Sequence, residues 1–270
     1  MGKVVGAFAT SHILMGSPEG DEAAQRIVKG LDDIGARIRA LEPDVVYLIS
    51  SDHLFNINLK LQPPFTVGIA DSYTPLGDMD IPRNPIKGHR AAGHSLCKRA
   101  YASGFDPAMM EELNPDHGIM VPMMYINGGE ADIPLVPILV NINMDPPPTA
   151  QRCFGFGTAL KDCITHDLPD DMRVVVVGTG GLSHWINIER HGEVDAEADK
   201  AILELFKARE LETIAAMSTE EILGKLGNGG LETCNWLMAA ATADALDPEV
   251  IYYEAMPHWL TGMGGMAFTR

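Results

Sequence analysis

The chain has 270 residues, 46% of them hydrophobic, which is enough for one large α/β domain with a core on both faces of a sheet. Its 37 acidic residues against 20 Lys and Arg give a formal net charge of −17, which argues against nucleic acid or an acidic membrane surface as a partner. No apolar run approaches a membrane span, and the opening MGKVVGAFATSH turns polar too soon for a signal peptide. The four cysteines, Cys97, Cys153, Cys163 and Cys234, form no C-x-x-C pair and read as reduced thiols of a cytoplasmic protein.

Along the chain, short β-branched runs alternate with helical periods. VVGAFA (4–9) and DVVYLIS (44–50) read as strands, and between them Ile27, Leu31, Ile34, Ile38 and Leu41 repeat at helical spacing. FTVGIA (65–70) is a third strand, followed by the proline-rich excursion YTPLGDMDIPRNPI and a helix near 87–102. IPLVPILVNI (133–142) and RVVVVG (173–178) are further strands, with a helix near 149–165 between them. Helices near 195–211 and 231–246 enclose a short one opened by the capping box STEE, Ser218 to Glu221, and VIYYEAM (250–256) is a last strand. Such alternation predicts one α/β domain over 1–270, its mainly parallel or mixed sheet covered by helices on both faces. The triple proline of DPPPTA is read as a stiff joint inside it.

The chemistry-bearing residues gather at strand ends. His12 follows the first strand in FATSH, His53 the second in LISSDH, and His184 the glycine turn GTGGLSHW. That turn has the spacing of a nucleotide loop but leads into the polar stretch INIERHGE instead of a helix, so a phosphate cradle is disfavoured. Ligands of open α/β sheets collect beyond the carboxyl ends of strands, where these histidines, and His117 on the NPDHGIMVP loop, would converge. His12 and His53 equally suit ordinary strand-end hydrogen bonding. Glu232, at a helix start after the glycines of GNGGLETCNWLM, is the candidate carboxylate, although the helix macrodipole alone would favour it there. Two imidazoles and one carboxylate would suit non-haem Fe(II). Asp52 either orients His53 as a second-layer partner or caps its loop. His89 and His94 are expected on a helix surface, and His166 and His191 in polar segments.

Taken together, SH after the first strand, SSDH after the second, DHGIMVP, PPPTAQRCFGFGTAL, GTGGLSHW and GLETCNWLM resemble the class III extradiol dioxygenases, the LigB-like family, in family order over nearly the whole chain. The resemblance implies that His12, His53 and Glu232 hold Fe(II), with Mn(II) as the alternative ion. It implies that His184 is the acid/base residue, and that His117 is a second acid/base or substrate-contacting residue. The implied reaction opens an aromatic ring beside two ortho hydroxyls, or a hydroxyl and an amine, inserting both atoms of O2. His258, Trp259 and Thr261 of AMPHWLTGMGGMAF are expected to bind the far end of the catecholic substrate, where Trp259 suits an aromatic or apolar substituent better than a carboxylate. A homo-oligomer or a small α-type subunit is the expected partner. A non-catalytic metal-binding relative and a zinc hydrolase using the same ligands are the competing readings.

Overall fold

A computed structural model describes residues 1–129 and 131–270. Strand β1 (Lys3–Thr10) leads through helix α1 (Glu22–Ala40) to β2 (Val45–Ser51). Next come β3 (Phe65–Gly68), the two-stranded ribbon β4 (Ser72–Tyr73) and β5 (Ile86–Lys87), helix α2 (Arg90–Ala102) and β6 (Ala108–Met110). Helix α3 (His117–Asn127), β7 (Leu135–Val140), α4 (Ala150–Asp167) and β8 (Arg173–Thr179) follow. Four helices, α5 (Ala196–Lys207), α6 (Leu211–Ala215), α7 (Thr219–Leu226) and α8 (Thr233–Ala240), precede the closing hairpin of β9 (Asp247–Met256) and β10 (Thr261–Thr269).

The eight-stranded sheet has the order β6-β3-β7-β2-β8-β1-β10-β9. Its centre, β7-β2-β8-β1, is parallel, while β3 runs antiparallel to β7, β10 to β1 and β9 to β10. The sheet is therefore mixed, with the predicted parallel core. The valine run shows why it is covered twice. Val174 and Val176 pack with Leu160 and Trp236 on one face, and Val175 and Val177 with Ile27 and Leu31 on the other. A strand buried on both faces gains nothing from polar alternation, so it reads as a continuous apolar run. Helix α1 is held by Asp21, whose carboxylate accepts from the Ala23 and Ala24 amides, and carries Arg37 and Arg39 at its carboxyl end. Among the described residues no helix is long and apolar enough to cross a membrane.

Several elements differ from the sequence expectation. The segment after Asp116 is a helix, not a loop: Asp116 accepts from the Gly118 amide as its N-cap, and Pro122 sits in its interior. His89 caps α2 instead of lying on it. The helix expected over 195–211 ends at Lys207, and Arg209 takes a left-handed φ of 61° before α6 begins. The helix expected over 231–246 opens with a 3-10 turn at Gly229–Glu232 and ends at Ala240. Strand β10 lacks the β-branched signature because its glycines admit neighbours. A Cβ on Gly262 would meet the Asp199 carboxylate, and one on Gly265 the Tyr252 ring.

Candidate metal centre and active-site crevice

The four central parallel strands end side by side at Thr10, Ser51, Val140 and Thr179, and the crevice lies beyond those ends. His12 and His53 enter it from the turns after β1 and β2, His117 from the first turn of α3, His184 from the turn after β8, and Glu232 from the 3-10 turn before α8. These five side chains line a cavity of about 520 Å³. The His12, His53 and His117 rings offer nitrogens lying within 4.8 Å of one another. Glu232 Oε1 lies 3.6 Å from His12 Nε2 and 3.7 Å from His53 Nε2, and its Oε2 lies 3.9 Å from His184 Nε2.

Each imidazole is anchored through Nδ1. Thr179 donates its hydroxyl to the Gly118 carbonyl at 2.9 Å, so its oxygen is left to accept from His12 Nδ1 at 3.3 Å. His53 Nδ1 donates to Asp116 Oδ2 at 2.9 Å, and His117 Nδ1 to Asp78 Oδ2 at 2.5 Å. His184 Nδ1 donates to its own turn, at the Leu182 carbonyl, 2.9 Å away. These partners assign the proton to Nδ1 and leave the Nε2 lone pair free in the neutral ring. The second partner of the His53 ring is thus Asp116, not Asp52. The Asp52 carboxylate accepts from the backbone amides of Phe55, Asn56 and Ile57, capping the loop that carries His53.

Glu232 is held as an anion. It accepts from the Gly181 amide at 2.6 Å and from the Ser51 hydroxyl. Burial works against its charge, but the surrounding imidazoles of His12, His53 and His184 draw it well below the ordinary carboxylate range. Burial pushes His12 down to about 3 against the pull of Glu232, so this ring is neutral at pH 7. In His53 burial also opposes the charge, yet Asp116 and Glu232 override it and raise the ring to about 10. Asp116 is lowered despite its burial, chiefly by its bond to His53.

The donor set fits a metal ion. Ligands about 2.1 Å from a shared ion stand roughly 3–3.5 Å apart, close to the spacing of Glu232 Oε1 from the two Nε2 atoms. Those separations are too long for hydrogen bonds. The His117 ring lies alongside His53, centroids 4.1 Å apart and planes 33° from parallel.

The glycine turn is shaped by what approaches it. A Cβ on Gly180, whose φ is +115°, would sit 2.5 Å from the Glu232 carboxyl carbon, and one on Gly229 would sit 1.7 Å from His184 Nε2. The turn is pinned by the Trp236 indole on the Gly180 carbonyl at 3.0 Å and the Asn235 amide on the Thr179 carbonyl at 2.8 Å. On its far side the fully buried Asp199 accepts from the Ser183 amide at 2.7 Å and the Tyr253 hydroxyl at 2.9 Å. Asp116, Asp78 and Asp199 escaped the sequence reading. The first stands beside His117 in DHG, a local signal that was available, whereas Asp78 and Asp199 meet their partners only through the fold.

Of the expected substrate contacts, Trp259 and Thr261 line the cavity, and the Thr261 hydroxyl lies 3.4 Å from His184 Nδ1. His258 does not line it. The 3-10 turn Pro257–Trp259 directs this ring outward to Asp21, 2.8 Å away, leaving its side chain 58% exposed.

Comparison with known proteins follows the same residues. Residues 6–264 match the family model described as the catalytic LigB subunit of aromatic ring-opening dioxygenase. A 2,3-dihydroxyphenylpropionate/2,3-dihydroxicinnamic acid 1,2-dioxygenase of Photorhabdus laumondii is 25% identical, covering 95% of this chain and 94% of its own length. A gallate dioxygenase of Pseudomonas putida is 32% identical over 62% of this chain and 48% of its own. An uncharacterized protein of Escherichia coli K12 shares the fold, with a TM-score of 0.65 over 98% of this chain and 99% of its own at 15% identity.

Proposed function

The chain belongs to the LigB family of catalytic subunits of aromatic ring-opening dioxygenases, and from that membership we propose that it is an Fe(II) enzyme that opens a catechol-type ring beside its paired hydroxyls with both atoms of O2. His12, His53 and Glu232 would hold the ion. The observation that carries this reading is Glu232 Oε1 standing 3.6 Å from His12 Nε2 and 3.7 Å from His53 Nε2, a carboxylate and two imidazoles within reach of one ion. When bound, Fe(II) supplies Lewis acidity toward the diol and an electron path between ring and dioxygen.

The chain's own residues do the rest. Neutral His12 and ionised Glu232 present lone pairs and charge without first losing protons. His184, its Nδ1 tied to the Leu182 carbonyl, directs Nε2 toward the cavity, where it would accept a hydroxyl proton of the diol and later return it. His117 would serve the opposite side, oriented by Asp78. Trp259 and Leu260, which line the cavity, would pack against the bound ring and exclude water from that side. The exposed apolar side chains Leu54 and Ile186, which line the cavity, support a covering partner, either a second copy or a small α-type subunit. The four free, buried thiols accord with a cytoplasmic setting.

The test is anaerobic loading with Fe(II) followed by catechol and air. Oxygen uptake with a yellow ring-fission product is expected. A hydrolase built on the same ligands would consume no oxygen, and that outcome would refute the proposal.

A further inference from the structure

The relatives described above act, by their names, on acids: dihydroxyphenylpropionate, dihydroxycinnamic acid and, in the gallate enzyme, a benzoate. The cavity of this chain is built for something else. All its ionisable lining residues, His12, His53, His117, His184 and Glu232, belong to the centre on the floor. The rest of the lining is apolar, Ile186 and Trp259 foremost, or polar but uncharged, at Asn143, Asn187, Asn228 and Thr261. Among the described residues that line it there is no lysine or arginine. Arg190, close to the wall in sequence, is engaged elsewhere. Its guanidinium lies over the Trp185 ring at 4.1 Å, and its Nε bonds Glu193 at 2.8 Å.

A carboxylate on the substrate ring would leave water for a lining of apolar and neutral polar side chains with no lysine or arginine to meet it, inside a protein carrying a net charge of −17. An uncharged substituent meets neither cost. Its apolar part gains contact with Trp259 and Ile186, and a carbonyl, amide or hydroxyl can bond Asn187 or Thr261. Resting on the catechol-cleaving reading above, we propose that this enzyme selects catechols whose ring substituent is uncharged and discriminates against carboxylated ones. Specificity then lies in the missing counter-charge as much as in the shape of the wall.

The test uses matched pairs that differ in charge and not in size: protocatechuate against its carboxamide, and dihydroxyphenylpropionate against its amide. For the Fe(II)-loaded enzyme, kcat/KM is expected to favour each amide by about tenfold or more. Anaerobic titration calorimetry, which needs no turnover, should give a binding preference of the same sign. Ile186→Arg, which places a cation on the wall, should shrink or invert the ratio by restoring affinity for the acids. Parity, or preference for the acids, in the unaltered protein would overturn the proposal. Turnover of none of the four compounds by iron-loaded protein would count against ring cleavage itself, and the calorimetric ratio would then decide charge selection alone.

Discussion

Asp116→Asn isolates one oxygen behind His53, one of the proposed ligands. In the structure Asp116 Oδ1 accepts from the Gly118 amide at 2.9 Å, while Oδ2 accepts from His53 Nδ1 at 2.9 Å and from the His53 amide at 3.2 Å. Asparagine has only one acceptor oxygen. If that oxygen stays on Gly118, the amide NH2 opposes two donors on His53. The ring can answer by moving its proton to Nε2, which consumes the lone pair that faces Glu232. Loss of such a partner behind a metal-binding histidine typically costs about 10- to 100-fold in metal affinity, which is about 1.4–2.8 kcal/mol. Helix α3 keeps a competent cap, because asparagine caps about as well as aspartate. The assay is anaerobic competition for Fe(II) between the protein and chelators of graded strength, with thermal melting of the metal-free protein alongside. Asp52→Asn is the control. Its carboxylate faces the amides of Phe55, Asn56 and Ile57, so metal affinity should hold while the loop melts earlier. Affinity of Asp116→Asn within about twofold of wild type would refute the argument.

Three further outcomes follow from the same geometry. His184→Phe should keep its iron and lose about 10²- to 10⁴-fold in kcat; loss of iron would mean the ring is a ligand and not the proton carrier. Asp199 is raised above the ordinary carboxylate range by burial, only partly offset by Ser183 and Tyr253, so its folded pKa exceeds its unfolded one. Its contribution is complete below the unfolded value and is lost as pH rises through the folded one. Asp199→Asn, which cannot ionise, should therefore gain in Tm relative to wild type as pH rises above the unfolded value of about 4, and a relative loss on that rise would sink the reasoning. Gly229→Ala should displace the His184 ring and lower kcat with iron retained, whereas Gly180→Ala should strike Glu232 and lower iron content itself. Metal analysis separates the two.

The parallel core and its helices were legible because buried strands carry continuous β-branched runs and α1 carries a clear apolar stripe. The strand-end positions of His12, His53 and His184 were legible for a related reason: a parallel sheet brings its carboxyl ends together whatever lies between them in sequence. The helical state of α3 was not, since NPDHGIMVP begins with polar residues and holds an internal proline, and only the Asp116 cap reveals it. Strand β10 was hidden because its glycines yield to Asp199 and Tyr252, contacts formed only in the fold. Asp52 was the natural partner for His53 by adjacency. Yet neighbours along a strand end point to opposite sides, and Asp116 arrives from α3 instead.

The glycines of the turn after β8 connect these threads. A nucleotide loop needs glycine because a phosphate approaches the backbone; here the approaching groups are the protein's own. Gly180 yields to Glu232, which comes from the turn before α8, and Gly229 in that turn yields to His184, which comes from the turn after β8. Each loop thus supplies one functional side chain and one glycine that admits the other loop's side chain. The two loops are bound to each other through the Gly181 amide on Glu232 and the Gly229 amide on the His184 carbonyl. A rigid shift of one whole loop against the other would disturb both side chains, whereas a methyl at a single glycine meets only one of them. The positions of Glu232 and His184 are therefore coupled through the packing of these two loops.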